Sequence, residues 1–511
     1  MSGIGDAFSR VPPLLAQHVL LAGSALVLGM LIAVPLGVLS ARRPAVARVA
    51  LGFASLVQTI PSLALLALFY PLLLALSGLV GGGIPALGFL PSLIALTLYA
   101  LLPILRNAVT GLRGIDRAVI EAADAVGMTP WQKLRLVEAP LLAPVLIAGI
   151  RTAAVWTIGA ATLSTTVGQP SLGDMIFAGL QTQNWTLVLA GCIAAALLAM
   201  TVDGTIGLVE HGLATRRRGF VIAGLSILVV GLALATAPLR HRSGQRTVVV
   251  GAKNFSEQYI LARLIGDRLT AAGYDVQYRD GLGSAVIYGA LTTNDVDVYV
   301  DYAGTIWTNA MKRTTVPPRG AMVAAIGGWM RATSGTRLVG PLGFENAYAF
   351  AMRGDEAKAK AIATLDDLAA ASPGLKLGSD LEFLERPEWT AVKRAYRMRF
   401  AAATPYSPTF MYRALASGTV DAISAFSSDG RIAADGLTIL TDPRRAIPGY
   451  DAILLVDPRH AHDERLIAAL RPLVGRIPVA TMQQANYRVD RSDGKQSPEQ
   501  AAHWLAAAIG R

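Results

Sequence analysis

The sharpest local pattern in the chain lies between residues 116 and 140. It reads Glu121-Ala122-Ala123-Asp124-Ala125-Val126-Gly127, then Met128-Thr129-Pro130-Trp131-Gln132, and closes at Glu138-Ala139-Pro140. None of these residues is arranged for bond-making. The spacing describes two short helices with a break. Gly127 can take a positive φ and end the first helix. Thr129 can N-cap the second, with Pro130 at the first helical position and Gln132 completing a capping box. Small Ala122 and Ala123 leave room for another surface to approach. The chemistry on offer is docking; an ordinary amphipathic loop is the alternative that helix physics leaves open.

Covalent and metal chemistry have no comparable signature. The single cysteine, Cys192, lies in an apolar run, so no disulfide or cysteine metal site forms within one chain. The six histidines lack ligand spacing, and neither a metal nor a cofactor is expected. No G-x-x-x-x-G-K-[ST] phosphate loop is present, so the chain is not expected to hydrolyse ATP. No nucleophile elbow places a serine for catalysis, and a membrane-anchored enzyme ranks last among the readings. Asp203 and His18 fall near or inside apolar runs, where ionisable groups can mark transport paths. Their positions near the expected span ends favour a structural role.

The elements that carry these residues divide the chain of 511 residues in two. Overall 53% of residues are hydrophobic, mean hydropathy is +0.46 and only 16% are charged, against roughly 25% in a soluble domain. Residues 1–240 hold 14 Lys+Arg and 8 Asp+Glu; residues 241–511 hold 32 and 27. A membrane half therefore precedes a soluble half. The net charge of +11 does not indicate nucleic acid. Basic residues cluster between apolar runs in the first half and mix with acidic ones in the second.

Six membrane spans are expected, at about 14–39, 47–77, 86–107, 141–166, 186–208 and 219–238. The second is too long for one straight helix and contains Pro61, which predicts a kink or break. Gly81-Gly82-Gly83 marks the loop after it. The first span lacks a basic leader and is followed by others, so it reads as a span rather than a cleaved signal. Arg42, Arg43 and Arg48 follow span one; Arg106, Arg113, Arg117, Lys133 and Arg135 lie between spans three and four; Arg216–Arg218 lie between five and six. The alternate loops carry none. The basic loops are thus expected in the cytoplasm, with the N-terminus and the C-terminal half outside. Arg240, Arg242 and Arg246 count mildly against this, but long translocated domains export largely regardless of charge.

Residues 246–511 alternate short apolar strands with helical patterns. Thr247–Gly251, Tyr274–Tyr278 and Val296–Val300 read as strands, and Phe255–Leu269 as a helix. This is α/β patterning. The segment near 338–352 reads as a crossing into a second lobe and that near 451–456 as the return, giving a two-lobed clamshell with its ligand in the cleft. Asn254 is positioned to cap the helix that follows, with Glu257 at its third residue.

The E-A-A-x-x-x-G segment and its flanks resemble the coupling loop of ABC-importer permeases, which docks as a short helix into a groove of the cytoplasmic ATPase. Gln58-Thr59-Ile60-Pro61-Ser62 and Tyr99-Ala100-Leu101-Leu102-Pro103-Ile104-Leu105-Arg106-Asn107 resemble the osmoprotectant branch of that family, which imports glycine betaine, choline and related compounds. The resemblance covers most of residues 14–215. It implies a permease core at 1–218 with five spans, a coupling loop at 116–140 in which Glu121, Ala122, Ala123 and Gly127 meet the ATPase, and an added sixth helix and linker at 219–245.

The soluble half resembles the osmoprotectant-binding proteins in Lys253-Asn254-Phe255-Ser256-Glu257-Gln258-Tyr259-Ile260-Leu261, Asp301-Tyr302-Ala303-Gly304-Thr305 and Phe426-Ser427-Ser428-Asp429-Gly430-Arg431-Ile432. Gly378-Ser379-Asp380-Leu381-Glu382-Phe383-Leu384-Glu385-Arg386-Pro387-Glu388-Trp389 is similar to the subgroup of the stress-induced enterobacterial binding protein. A quaternary ammonium cannot donate a hydrogen bond and is held by aromatic faces, at roughly 0.5–2 kcal/mol per ring; a betaine carboxylate needs donors and positive charge. The resemblance implies a cage of Tyr302, Tyr348, Phe426 and Tyr450, and a carboxylate set of Lys253, Thr305 and Arg386. Each aromatic has core packing as its structural alternative, and Lys253 and Arg386 have solvated charge. Phe426 replaces the family's tyrosine and Gly449 breaks its usual proline pair, departures that weaken the expectation of high betaine affinity. Lobe 1 is expected at about 246–342 and 452–511, lobe 2 at about 346–446.

The reading that follows is a permease fused to its binding protein, part of an ATP-driven importer for quaternary ammonium osmoprotectants. Its expected partners are a cytoplasmic ABC ATPase, a second permease (the same chain or another) and a small cationic or zwitterionic solute. It is expected in the inner membrane, multi-pass, with the C-terminal domain on the external side. An amino-acid importer would place an acidic group at the ammonium instead of an aromatic cage. A ligand-gated channel or receptor would have no need of an ATPase dock.

Overall fold

The computed structural model describes residues 2–80, 84–182, 184–237, 247–313, 315, 317–380, 382–491 and 493–510. Gly81-Gly82-Gly83, Arg240, Arg242, Arg246 and Leu381, all invoked above, lie outside the described residues. The chain divides into two units, Met1–Phe177 with Thr186–Gly244, and Ala178–Trp185 with Gln245–Arg511.

The first unit is helical. Among the described residues six helices are long and apolar enough to cross a membrane: Ala7–Arg42, Ser62–Leu79, Phe89–Arg113, Pro130–Val167, Trp185–Ala214 and Arg218–Thr236. The expected second span is two helices, Pro44–Thr59 and Ser62–Leu79, separated at Ile60-Pro61. Proline has no N–H to donate and crowds the preceding turn, so the break falls where the sequence places it. The candidate span is the second piece alone, and the count of six is unchanged. Helices Val11–Arg42 and Phe89–Arg113 approach closely through small residues. A Cβ added to Gly37 would stand 2.5 Å from the Cβ of Ala108. Without a hydrophobic drive between helices in lipid, such close backbone packing supplies the attraction.

The two ionisable residues noted in the sequence are both engaged. His18 is buried in the Val11–Arg42 helix; Leu172 N–H donates to its Nδ1 at 3.4 Å, so Nε2 carries the hydrogen given to Ile158 O at 3.0 Å. Asp203 lies well within the Trp185–Ala214 helix, not near its end as expected. It takes a two-pronged bond from Arg151 of the Ala139–Ala161 helix, at 2.5 and 2.6 Å, and Glu210 joins the same guanidinium at 3.4 Å. Pairing of this kind is what makes charge tolerable at membrane depth.

The second unit holds two five-stranded mixed sheets. One has the order β2-β1-β3-β10-β4, the other β7-β6-β8-β5-β9. The strands are β1 (Thr247–Lys253), β2 (Asp275–Leu282), β3 (Val298–Tyr302), β4 (Arg337–Glu345), β5 (Tyr348–Arg353), β6 (Lys376–Asp380), β7 (Ala402–Tyr406), β8 (Ala422–Phe426), β9 (Leu437–Leu440) and β10 (Asp451–Val456). In the first sheet β1 is parallel to β2 and β3, while β10 runs antiparallel to β3 and β4. In the second, β6 is parallel to β7 and β8, and β5 is antiparallel to β8 and β9. The chain leaves the first sheet after β4 and enters the second at β5, so the crossover is Asn346-Ala347; it returns between β9 and β10. The architecture is the membrane helices followed by an α/β two-lobed domain that the sequence patterning implies.

Candidate functional site

In both sheets the parallel strands end toward the same cleft. Ligands of open α/β sheets lie outside the carboxyl ends of such strands. Lys253 ends β1, Tyr302 ends β3, Asp380 ends β6 and Phe426 ends β8. Tyr348 opens β5 just after the crossover, and Tyr450 immediately precedes β10. Arg386 is the N-cap of the helix Pro387–Tyr396, with Pro387 at its first position. These placements converge on one cavity of about 170 Å³, and Lys253, Tyr302, Thr305, Tyr348, Arg386, Phe426 and Tyr450 all line it.

The rings form a connected set. Tyr348 lies 5.0 Å from Phe426 and 5.9 Å from Tyr450, the latter edge-on at 88°. Phe255 joins them, 6.2 Å from Tyr302 and 6.3 Å from Phe426 with its plane parallel to the latter within 3°. Burial pushes the hydroxyls of Tyr302, Tyr348 and Tyr450 well above the usual phenol range, so neutral ring faces are presented at every working pH.

The cationic groups are anchored by acids, of which Asp301 and Glu388 are buried and Glu382 is exposed. Lys253 Nζ donates to Asp301 at 2.5 Å and stands 5.2 Å over the Tyr302 ring. Asp301 also accepts from Tyr299 OH at 2.6 Å and from the Tyr302 backbone N–H at 2.7 Å. Arg386 donates to Glu382 at 3.1 Å, to Glu388 at 3.3 Å and to Thr305 Oγ1 at 3.5 Å. Glu388 further accepts from Tyr450 OH and, at 3.0 Å, from Thr308. Both cations retain N–H groups beyond these bonds.

Several lining residues were not singled out as ligand-site members by the sequence reading. Phe255 is one: it is the N-cap of the helix Ser256–Ala271, with no side-chain cap bond. The expected Asn254 cap is therefore corrected, as the helix begins one residue later and the Phe255 ring is turned onto those of Tyr302 and Phe426. Glu257 does not serve a capping box. It is buried and accepts from Tyr302 OH at 2.6 Å, Asn346 at 3.1 Å and Asn486 at 2.9 Å. Burial raises its carboxyl above the usual range, opposed by these donors. A polar residue two positions before an aromatic, as in Asn346-Ala347-Tyr348, was the available signal for Asn346; Asn486 lies in the helix Val479–Asp490 and had none.

In the first unit the loop helices follow their caps. Asp116 accepts from Ala118 N–H at 2.9 Å and starts the helix Arg117–Ala125. Gly127 takes φ +77°. Thr129 and Gln132 form both bonds of the capping box, at 3.3 and 2.9 Å. Lys133 pairs with Asp124 at 2.7 Å and ties the two short helices together. Ala123 is buried, whereas Glu121, Ala122 and Gly127 are exposed. Val126 and Trp131 are 72% and 68% exposed, an apolar surface set between charged residues. Elsewhere, Asp297, Asp457 and His460 converge within 4.8 Å; Arg459 pairs with Asp297 at 2.5 Å and His460 Nδ1 lies 2.8 Å from Asp457, so these groups are engaged with one another.

Residues 33–215 match the family model described as the binding-protein-dependent transport system inner membrane component. Residues 246–507 match that described as the substrate binding domain of ABC-type glycine betaine transport system. The ergothioneine transport permease/ergothioneine binding protein EgtU of Helicobacter pylori (strain G27) is 30% identical over 470 residues, 88% of this chain and 82% of its own length. The choline transport system permease protein OpuBB of Bacillus subtilis (strain 168) is 40% identical over 197 residues, 39% of this chain and 85% of its own length. Among solved structures, that of a glycine betaine/carnitine/choline ABC transporter covers 51% of this chain and 98% of its own, at 28% identity and a TM-score of 0.45.

Proposed function

The chain belongs to the ABC importers, joining an inner-membrane permease to a substrate-binding domain of the glycine betaine type, and from that premise we propose that it captures a trimethylammonium solute and passes it to its own permease half. One observation carries the reading: Tyr302, Tyr348, Phe426 and Tyr450 meet on a single cavity with Lys253, Thr305 and Arg386. A cation without N–H groups is stabilised there by ring faces, while Arg386 and Thr305 supply donors for a carboxylate or hydroxyl at the other end. Relatives are named for choline, and for ergothioneine in a chain that matches both halves; these solutes share the trimethylammonium group.

The soluble domain lies on the external face, carried there by the Arg218–Thr236 helix. A separate cytoplasmic ATPase docks on the loop that bears Glu121, Ala122, Ala123 and Gly127, and its ATP cycle switches the permease between outward and inward states. The permease half pairs with a second copy or with another permease. Titration calorimetry of the purified full chain against glycine betaine, choline, carnitine, ergothioneine and a panel of amino acids tests the solute class. Binding confined to amino acids would replace the trimethylammonium reading with that of an amino-acid importer.

A further inference from the structure

Two rings of the cavity wall stand apart from the others. Phe255 and Phe426 are partly exposed there, whereas Tyr302, Tyr348 and Tyr450 are buried, at 4%, 7% and 2% exposure. The two phenylalanines come from opposite lobes. Phe255 follows β1 of the first sheet, and Phe426 ends β8 of the second. Their planes nonetheless lie parallel within 3°, with centroids 6.3 Å apart. Helix capping does not account for Phe255. N-caps favour Ser, Thr, Asp and Asn, whose side-chain oxygens accept from the first turn, and Phe255 makes no such bond. What the position supplies instead is a flat apolar face set against the ring of the opposite lobe.

Parallel rings on two lobes form a jaw whose gap follows lobe closure. A flat ring stacked between them needs about 7–8 Å between the outer planes, twice the roughly 3.5–4 Å contact distance of carbon atoms. The lobes therefore have to part by at least about 1 Å to admit one. A conjugated ring held this way gains stacking attraction on both faces, which a saturated chain of the same bulk does not. Resting on the trimethylammonium reading above, we propose that the solute carries a flat conjugated ring beside its quaternary ammonium, and that this ring is clamped between Phe255 and Phe426. Tyr348 lies 5.0 Å from Phe426, so ammonium and ring are held by adjoining walls of one cavity. A phenyl group and an azole both have the required shape. Open-chain solutes such as glycine betaine and choline do not, and are the weaker ligands.

The test titrates the full chain, purified in detergent, with four trimethylammonium compounds. Two carry a flat ring: the trimethyl betaine of phenylalanine, and ergothioneine with its azole. Two are references: the trimethyl betaine of cyclohexylalanine, whose six-membered ring is saturated and puckered, and glycine betaine, which has no ring. The cyclohexyl ring is the more apolar, so burial alone would favour it over phenyl. At least one flat-ring compound is expected to bind about tenfold or more tightly than both references, and which one does so separates phenyl from azole. In Phe255→Leu, which stays apolar but loses the flat face, that ratio should fall toward one, while Phe255→Tyr should keep it. The comparison on the unmutated chain does not depend on either variant folding. A ratio unchanged in Phe255→Leu would overturn the assignment to this jaw. Binding by either reference as tight as that of both flat-ring compounds would overturn the ring itself and leave the trimethylammonium reading intact. Failure of all four compounds to bind would instead overturn that reading.

Discussion

Tyr348 and Phe426 stand directly opposite each other in the antiparallel β5–β8 ladder, with ring centroids 5.0 Å apart. Opposed residues of a ladder project from the same face, so one register pair delivers two walls of the cavity. The crossover at Asn346-Ala347 sets where β5 begins, and Ala347 N–H donates to Ser427 Oγ at 2.9 Å while Ser427 N–H donates to Ala347 O at 2.9 Å. That exchange pins the register at its cleft end. A slip by one residue would turn both rings to the other face of the sheet.

Phe426 tests whether ring faces hold the solute. Phe426→Ala should weaken binding of a trimethylammonium compound by about 1–2 kcal/mol, roughly 5- to 30-fold. Phe426→Tyr restores the family's residue and should bind at least as well as the unmutated chain. Calorimetry on the full chain measures both. Unchanged affinity in the alanine variant would remove this ring from the cage.

The docking loop is tested at its bend. Gly127 has φ +77°, and a Cβ there would meet nothing within 4 Å, so the constraint is backbone conformation and not space. Gly127→Pro cannot adopt that φ. Solute binding should persist in the variant, while ATP-dependent uptake into vesicles is abolished. Full uptake would exclude the loop as the element that transmits the ATPase cycle.

Topology is tested with reporter fusions. A fusion after residue 218 should report the cytoplasm, since it follows the Arg216–Arg218 cluster. A fusion after residue 245, beyond the Arg218–Thr236 helix, should report the external side. Two reporters on the same side would show that this helix does not cross.

A pH dependence follows from Asp490. It accepts from Ser256 Oγ at 2.5 Å. Burial, reinforced by nearby Asp429, pushes its carboxyl up to about 6 from 3.8, against the opposing pull of Arg431, Ser256 and Lys495. The folded form thus holds the proton more firmly than the unfolded one. This group's contribution is fully present below about pH 3.8 and is lost as pH rises through about 6. Asp490→Asn should flatten that part of the pH–stability difference and raise the neutral-pH melting temperature of the soluble domain by about 2–4 °C, corresponding to about 1 kcal/mol. Parallel melts from pH 4 to 8 compare the two; superimposable difference curves would rule the residue out as the source.

Features that depend on neighbours within a few residues were legible before any fold was known. Six apolar helices, the break at Pro61, the capping box of Thr129 and Gln132 and the bend at Gly127 all follow from hydropathy, proline sterics and bonds spanning three or four residues. The lining set of Lys253, Tyr302, Thr305, Tyr348, Arg386, Phe426 and Tyr450 came from motif resemblance, because nothing local distinguishes a cleft tyrosine from a core one. The charge state and hydrogen-bond demand of that cleft were beyond sequence. Glu257 meets Tyr302, Asn346 and Asn486 across separations of 45, 89 and 229 residues, and Lys253 meets Asp301 across 48. Which buried acceptor finds a donor depends on how two sheets and the Val479–Asp490 helix close around one cavity, and only tertiary structure decides it.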